Sequence, residues 1–128
     1  MSVYSRLFAV AAAAVVPAVF AAAPEADIEN GKSVFTAVCG ICHSATKEPG
    51  GPVLGPNLFG IMGRKAAGEK EYAAYTPALK DYKVTWNAKT LDAFLENPMG
   101  KVPGTQMIMP VPDAKNRADV VAYLATLK

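Results

Sequence analysis

Residues that build metal clusters and disulfide frameworks are scarce in this sequence, which holds two cysteines and one histidine among 128 residues. A tetrahedral zinc site needs four ligands from cysteine, histidine or acidic side chains, and these three residues are too few for the cysteine- and histidine-based sites. A thioredoxin-like disulfide motif belongs beside a βαβ pattern, but no convincing run of alternating residues predicts a strand here. The two commonest uses of paired cysteines are therefore disfavoured.

The three scarce residues are instead concentrated in one short segment, in which Cys39 and Cys42 are followed directly by His43. Two thiols one helical turn apart lie on the same face, where each can add across a haem vinyl group to form a thioether. The adjacent imidazole can then reach the iron as the proximal ligand. The C-x-x-C-H segment therefore predicts one covalently attached haem c, with His43 as a metal ligand.

His43 is the only histidine, so a six-coordinate iron needs a different residue on the opposite face, and methionine is the usual partner. Met107 ends a run that starts at Asn97 and contains two prolines and two glycines, which we expect to hold the run out of a helix. A ligand-bearing loop would require this, so Met107 is the predicted sixth ligand. Met109 would share a face with Met107 in an extended segment and is the one serious rival. The other candidates outside the leader are Met62 and Met99.

The first 23 residues have the form of an export signal, with Arg6 followed by the apolar, alanine-rich stretch Leu7–Ala23. We predict a signal peptide over residues 1–23 and a single domain over residues 24–128, which retains 105 of the 128 residues. An uncleaved leader would be an anchor, although its 17 apolar residues are marginal for spanning a bilayer. Export suits the chemistry, because c-type haem is attached outside the cytoplasm, and the bacterial periplasm is the expected location.

The sequence resembles the short class I c-type cytochromes, the family that contains mitochondrial cytochrome c and its soluble bacterial relatives. The matching segments follow in the same order along the chain: Gly31 to Phe35, Cys39 to His43, Gly55 to Leu58, Gly63-Arg64, Tyr75-Thr76, Thr85-Trp86, Glu96 to Pro98, Pro103 to Met107 and Ala122 to Leu124. The resemblance implies an all-α cytochrome c fold, in which several helices and loops surround one haem.

Apolar spacing and capping residues predict the helices directly. The expected spans are about Asp27 to Val38, Thr76-Pro77 through about Asp81, Asn87 to Glu96, and Asp113 or Asn116 to Leu127. The resemblance further implies that the terminal helices cross at a small residue, with Gly31 and Phe35 meeting Val120 and Tyr123.

The resemblance also assigns cofactor-binding roles. Tyr75, Thr76 and Trp86 match family positions that hydrogen-bond the haem propionates, and Arg64 matches a propionate-side arginine. Ordinary aromatic core for Trp86 and a solvated surface charge for Arg64 are the alternatives. The carbonyl of Pro56 would accept from the proximal histidine and fix its ring.

Three further positions concern the methionine side of the haem. Thr105 is expected to pin the loop beside Met107. Phe94 stands where the family often has a tyrosine hydroxyl near the methionine sulfur, and Leu79 replaces a commonly polar position. We therefore expect a drier pocket on this side, with fewer hydrogen-bonding partners for the sulfur.

These features predict a soluble, monomeric one-electron carrier that shuttles electrons between redox complexes, as in a respiratory chain, rather than an enzyme. A membrane-tethered subunit of a respiratory complex is the alternative, followed by a haem enzyme or gas-binding protein with an open sixth site. The expected partners are the redox complexes that donate and accept electrons, with no nucleic acid and no stable membrane insertion once the leader is cleaved.

Charge is too scarce and too balanced to predict strong electrostatic docking. Without Arg6 the chain has 12 basic and 11 acidic residues. Two segments are expected to frame the haem edge, Cys39 to Gly63 and Asn97 to Pro112, and their only lysines are Lys47 and Lys101. Mitochondrial relatives ring this edge with lysines. We expect docking through a modest apolar patch instead, for which the candidate contacts are Gly40, Ile41, Val53, Met99 and Val102.

Overall fold

The computed structural model describes residues 25–48, 50–51 and 54–128; the predicted signal peptide and Val53 lie outside these residues. Within these residues the structure has five α-helices: α1 Ile28–Val34, α2 Pro77–Asp81, α3 Ala88–Glu96, α4 Pro98–Lys101 and α5 Ala114–Thr126. The described part of the chain contains no strand, and its single β-bridge pairs Lys65 with Thr85. The predicted all-α fold is confirmed.

The helix starts lie where capping chemistry predicts them. Thr76 caps α2, Asn87 and Thr90 form a reciprocal capping box on α3, and Asp113 caps α5 through the amide of Asn116 at 2.8 Å. In each case a side-chain oxygen satisfies an amide that has no partner within the helix. Of the two predicted starts of the last helix, Asp113 is therefore the correct one.

The first helix reaches the cysteines through a wider turn. Residues Phe35–Cys39 form a π-helix directly after α1, closed by a 2.7 Å bond from the Gly40 amide to the Phe35 carbonyl. The helical segment therefore ends at Cys39, one residue beyond the predicted Val38. The amides of Cys42 and His43 both bond back to the Cys39 carbonyl, at 3.0 and 2.9 Å, which folds the haem-attachment segment into a compact turn.

The expectation that Asn97 to Met107 contains no helix was wrong for one turn. Pro98–Lys101 forms α4, with Pro98 at its first position and the Asn97 side chain accepting from the Gly100 amide at 2.9 Å. Proline lacks the amide that would have no partner at that position, so it favours the start of a helix there. The chain leaves the helix after Lys101, and the segment that bears Met107 is not helical.

The terminal helices α1 and α5 cross in close contact, as predicted. A Cβ at Gly31 would overlap the carbonyl oxygen of Asp119, so the crossing requires glycine. Phe35 and Tyr123 pack with ring centroids 5.7 Å apart, and Val120 is fully buried. This crossing positions the first helix, and with it the cysteines, against the end of the chain.

A buried carboxylate that sequence reasoning missed fastens the same crossing. Asp119 is fully buried and accepts from the Asp27 amide at 2.8 Å, the Asn30 side chain at 2.7 Å and the Lys115 ammonium at 2.6 Å. The Lys115 bond first, and the bonds from Asp27 and Asn30, lower the pKa of Asp119 to about 2 against the opposing effect of burial. These bonds connect the start of α1 to the middle of α5.

Candidate haem site

A wide cleft lies between the turn that follows α1 and the segment that follows α4. Its mouth is open to solvent, and most of its wall is apolar, as in typical cofactor sites. The structure brings all eight predicted site residues to this wall: Cys39, Cys42, His43, Arg64, Tyr75, Thr76, Trp86 and Met107. Such a space suits a large, flat and mostly apolar group.

The two cysteines are free thiols at the base of this cleft, with Cys39 buried and Cys42 half-buried. Burial, with a smaller contribution from the neighbouring Cys42, raises the pKa of the Cys39 thiol to about 11. Cys39 is therefore held as a neutral thiol, which is not the thiolate that a metal ligand or a redox nucleophile needs. A thioether carries no charge, so these surroundings fit the predicted covalent attachment.

The imidazole of His43 is oriented by the backbone, as the resemblance implied. Its Nδ1 lies 2.7 Å from the Pro56 carbonyl oxygen, which can only accept, so Nδ1 carries the proton in this bond. Burial lowers the pKa of His43 despite the opposing effect of the Pro56 bond, which keeps the ring neutral. Nε2 is then left with a lone pair, the state in which histidine binds iron.

Gly55 completes the support of the imidazole, and sequence reasoning missed its role. A Cβ at this position would lie 2.6 Å from Nδ1 of His43 and 2.9 Å from Nε2, well inside van der Waals contact. The Gly55 amide donates to the Cys42 carbonyl at 2.8 Å, which holds this backbone against the ring. The glycine at the start of the Gly55–Leu58 segment was the available signal.

Two methionines, Met107 and Met109, lie in the wall of the cleft. Met107 is half-buried and packs against the core, whereas Met109 is 49% exposed. The hydroxyl of buried Thr105 accepts from the Met107 amide at 3.3 Å, the pinning contact that was expected. Met62 and Met99 do not line the cleft, and Met99 is 54% exposed. Burial therefore favours Met107 over its rival.

The three residues predicted to donate to the propionates all line the cleft, and each has a contact of its own with the protein. The Tyr75 hydroxyl accepts from the Glu69 amide at 3.2 Å, and the Thr76 hydroxyl accepts from the Leu79 amide at 3.3 Å. Both hydroxyls are still able to donate, because these bonds use only a lone pair. Trp86 is buried, 5.2 Å from the ring of Phe94, and it also lines the cleft.

Arg64 is not the solvated surface charge that was the alternative reading. Its guanidinium donates to the carbonyls of Asn57, at 2.7 Å, and Phe59, and it forms a 3.0 Å ion pair with Glu69. Only 17% of the side chain is exposed. The Glu69 partner was not foreseen, and its carboxylate balances part of the guanidinium charge.

The cleft that Met107 lines is apolar at the two positions where the sequence lacks the polar residues common in the family. Phe94 is buried and Leu79 half-buried, and both line the cleft with Leu91. Among the described residues, no group of three or more histidine, cysteine or acidic side chains could hold a metal ion by itself. If His43 and a thioether bind the iron, the four nitrogens of a porphyrin would complete its coordination, and the residues present fit a haem.

Several large apolar side chains are exposed on the surface, though not the predicted set in full. Ile41 is 66% exposed and Met99 54%, but Val102 is buried at 4% because it packs in the core, so it was wrongly included. Gly40 is half-buried, and Val53 lies outside the described residues. Leu54, Ile108 and Met109 are exposed residues that were not anticipated and that also line the cleft.

Together, two thiols on one turn, a neutral backbone-oriented imidazole and an apolar cleft define a c-type haem protein. The family model for cytochrome c matches residues 28–128, and the chain belongs to this family. It is 41% identical over 105 residues to cytochrome c of Tetrahymena pyriformis, which covers 81% of this chain and 92% of the relative. Cytochrome c2 of Rhodopila globiformis is 39% identical over 107 residues, covering 83% and 98%.

A solved structure supports the same assignment. Cytochrome cH from Methylobacterium extorquens superposes with a TM-score of 0.68 at 37% identity, covering 78% of this chain and 98% of that one. As a member of the family with both attachment cysteines in place, the chain carries covalently bound haem c and is a haem-based electron carrier. None of the helices in the described residues is both long enough and apolar enough to cross a membrane.

Proposed function

We propose that this protein is a soluble, monomeric one-electron carrier that moves electrons between redox complexes, with His43 and Met107 as the axial ligands of its haem. The observation that carries the proposal is the placement of Met107, half-buried in the cleft wall and pinned by Thr105, in a cleft that also receives the neutral His43. When bound, the haem supplies the ferric and ferrous states between which one electron is exchanged.

The residues of the chain set the conditions for that exchange. The Pro56 carbonyl fixes the tautomer and orientation of His43, and Thr105 fixes the backbone of Met107. Two permanent ligands would leave no coordination position for a substrate, which argues against an enzyme. Phe94 and Leu79 line the same cleft as Met107 with apolar side chains, and we expect them to limit the access of water to the thioether.

Three polar residues of the cleft would bind the propionates. Tyr75, Thr76 and Trp86 line the cleft and carry two hydroxyls and an indole that can donate to carboxylates, and buried carboxylates require such partners. Arg64 acts there with Glu69 as a pair. The carboxylate already neutralises part of the guanidinium charge, so Arg64 would attract a propionate less strongly than an unpaired arginine would.

The proposed partners are electron-donating and electron-accepting protein complexes that dock at exposed apolar side chains. Ile41, Leu54 and Ile108 are each about two-thirds or more exposed, at 66%, 71% and 66%, and Leu54 and Ile108 also line the cleft. Lys47 and Lys101, the only lysines in the segments expected to frame the haem edge, are too few for a lysine ring. We place this exchange in the periplasm, after export by the leader.

Spectroscopy of the holoprotein and two methionine variants tests the ligation. We expect the ferric protein to be low-spin with a methionine-to-iron charge-transfer band. Met107→Ala should abolish this band and open the iron to added ligands, whereas the matched control Met109→Ala should retain it, because Met109 is the more exposed of the two. If only the Met109 variant loses the band, Met109 is the ligand. A parent without the band would support an open sixth site.

Solubility is tested separately. Release of the native protein by osmotic shock would agree with a soluble shuttle, whereas recovery with the membrane fraction would support the tethered respiratory subunit.

A further inference from the structure

The segment that carries Met107 has little support of its own. We name residues 106–110 the methionine strap. Among the described residues, no backbone-to-backbone hydrogen bond involves any member of the strap. Ile108 and Met109 are 66% and 49% exposed, so side-chain burial adds little. A stretch with few buried contacts and few hydrogen bonds opens at low free-energy cost unless its ends are fixed.

Both ends of the strap are fixed. Upstream, the buried Thr105 donates its amide to the Val102 carbonyl at 3.0 Å. Downstream, the buried Val111 donates its amide to the Leu95 carbonyl of α3 at 2.7 Å. The Val111 carbonyl, and that of Pro112 beside it, accept from one nitrogen of Arg117, each at 3.0 Å. The position of Met107 therefore depends on two anchors.

Arg117 forms the more elaborate of these anchors. Although charged, it is only 6% exposed, and its Nε donates to the Asp92 carboxylate of α3 at 2.8 Å. A second carboxylate, Glu96, lies 3.6 Å from its other terminal nitrogen. One planar guanidinium thus joins α5, α3 and the downstream end of the strap. Burial of a charge is costly unless it is paired and hydrogen-bonded, and here it is both.

We propose that Arg117 is a positioning residue for the sixth ligand: by holding the carbonyls of Val111 and Pro112 it limits how often Met107 dissociates from the iron. The proposal rests on the proposed ligation by Met107. A thioether on a strap with two fixed ends returns to the iron at a high effective concentration, whereas release of one end lowers that concentration. Arg117 thereby couples the packing of α3 on α5 to the persistence of the iron–sulfur bond.

Arg117→Lys tests this role because it retains the positive charge but loses the planar guanidinium group, whose several N–H donors point in fixed directions. A single ammonium cannot engage Asp92 and two carbonyls in the geometry that the guanidinium occupies. The matched control is Asp119→Asn, also a buried charged residue of α5, whose partners lie on α1 and on α5 itself rather than at the strap. For each ferric holoprotein, we would measure the rate of imidazole binding at saturating imidazole, where opening of the Met107 bond limits it, and the stability to guanidinium chloride.

Arg117→Lys should bind imidazole about tenfold faster than the parent, the factor that corresponds to about 1.4 kcal/mol, and its methionine-to-iron band should fade at a lower temperature. Asp119→Asn should lose global stability while its rate of imidazole binding remains at the parent value. Asp92→Asn, at a half-buried position, should shift the rate in the same direction as Arg117→Lys but less, because Arg117 retains both carbonyls.

Two results would overturn the proposal in distinguishable ways. A parent without the methionine band would refute ligation by Met107 and the role of Arg117 with it. A parent with the band whose Arg117→Lys and Asp92→Asn variants bind imidazole no faster than Asp119→Asn would refute the role of Arg117 alone and leave it a structural residue.

Discussion

Replacement of Gly55 by alanine should damage the proximal side of the haem through a single added methyl group. The new Cβ would lie 2.6 Å from Nδ1 and 2.9 Å from Nε2 of His43, where ordinary contacts begin near 3.4 Å. The ring cannot withdraw freely, because Nδ1 is bonded to Pro56 at 2.7 Å and the proposed ligation would require Nε2 to reach the iron. Either the backbone at Gly55 moves, which strains its bond to Cys42, or the imidazole tilts and loses the Pro56 carbonyl.

The expected cost follows from these two routes. Overpacking a close-packed site typically costs ~1–3 kcal/mol, and the loss of one hydrogen bond costs a further ~0.5–1.5 kcal/mol if the ring tilts. For a domain of this size, ~1 kcal/mol lowers Tm by roughly 4–8 °C. Gly55→Ala should therefore lower the Tm of the ferric holoprotein by at least ~4 °C and alter the iron–imidazole signature in paramagnetic NMR.

Pro56→Ala is the control for this prediction. It changes the neighbouring residue but retains the carbonyl that orients His43, so the imidazole signature should remain that of the parent. If Gly55→Ala has the parental Tm and an unchanged imidazole signature, the backbone at this position yields without cost, and the steric argument is wrong.

Three further predictions concern acid stability, potential and docking. The pKa of Asp119 is lowered from 3.8 to about 2. Its carboxylate therefore stabilises the fold above pH 3.8, and this stabilisation is lost as the pH falls from 3.8 to about 2. Asp119→Asn should destabilise the protein at neutral pH and weaken the pH dependence of its stability between those two values, whereas the same pH dependence in variant and parent would contradict this. Phe94→Tyr adds a hydroxyl to the apolar cleft that Met107 also lines. The family resemblance puts this position near the methionine sulfur, so the hydroxyl should withdraw electron density from the thioether and modestly raise the reduction potential in a redox titration. A fall or no change in the potential would contradict this. Because the leaderless chain has 12 basic and 11 acidic residues, the electron-transfer rate with the physiological partner should change little between low and moderate ionic strength; a steep fall would reveal a docking ring that includes Lys80 or Lys83.

Much of the fold could be predicted because the features that carry it are local. The starts of α2, α3 and α5 depend on capping side chains that bond to amides three residues along the chain. The sequence therefore predicts these starts from the caps Thr76, Asn87 and Asp113. One local rule was applied too broadly. Prolines and glycines between Asn97 and Met107 predicted a loop throughout, although proline at a first helical position stabilises one turn, and α4 is that turn.

The features of the haem site are also of two kinds, those that neighbouring residues determine and those that depend on the packing of the whole chain. The haem-attachment segment lies within five residues, from Cys39 to His43, so the sequence alone predicts covalent haem attachment. The π-helix only sets where the turn begins. The sequence favoured Met107 through the run of prolines and glycines that ends at this residue. It left Met109 as a rival, because residues two apart in an extended segment share a face until the core buries one of them. Burial is a property of the packed chain, and the structure favours Met107 on that ground.

What the sequence by itself determined is therefore the cofactor, its attachment and the helical class, each written in residues within a few positions of one another. Only the tertiary structure decided the partners of Asp119, Arg117 and Arg64, and the contact of Gly55 with the proximal imidazole. The physical reason is that the partners of a buried charge, or of a close steric contact, can lie far apart in the chain. The Asp27 amide, for example, is 92 residues from Asp119. The sequence pattern does not indicate which of these distant groups come into contact.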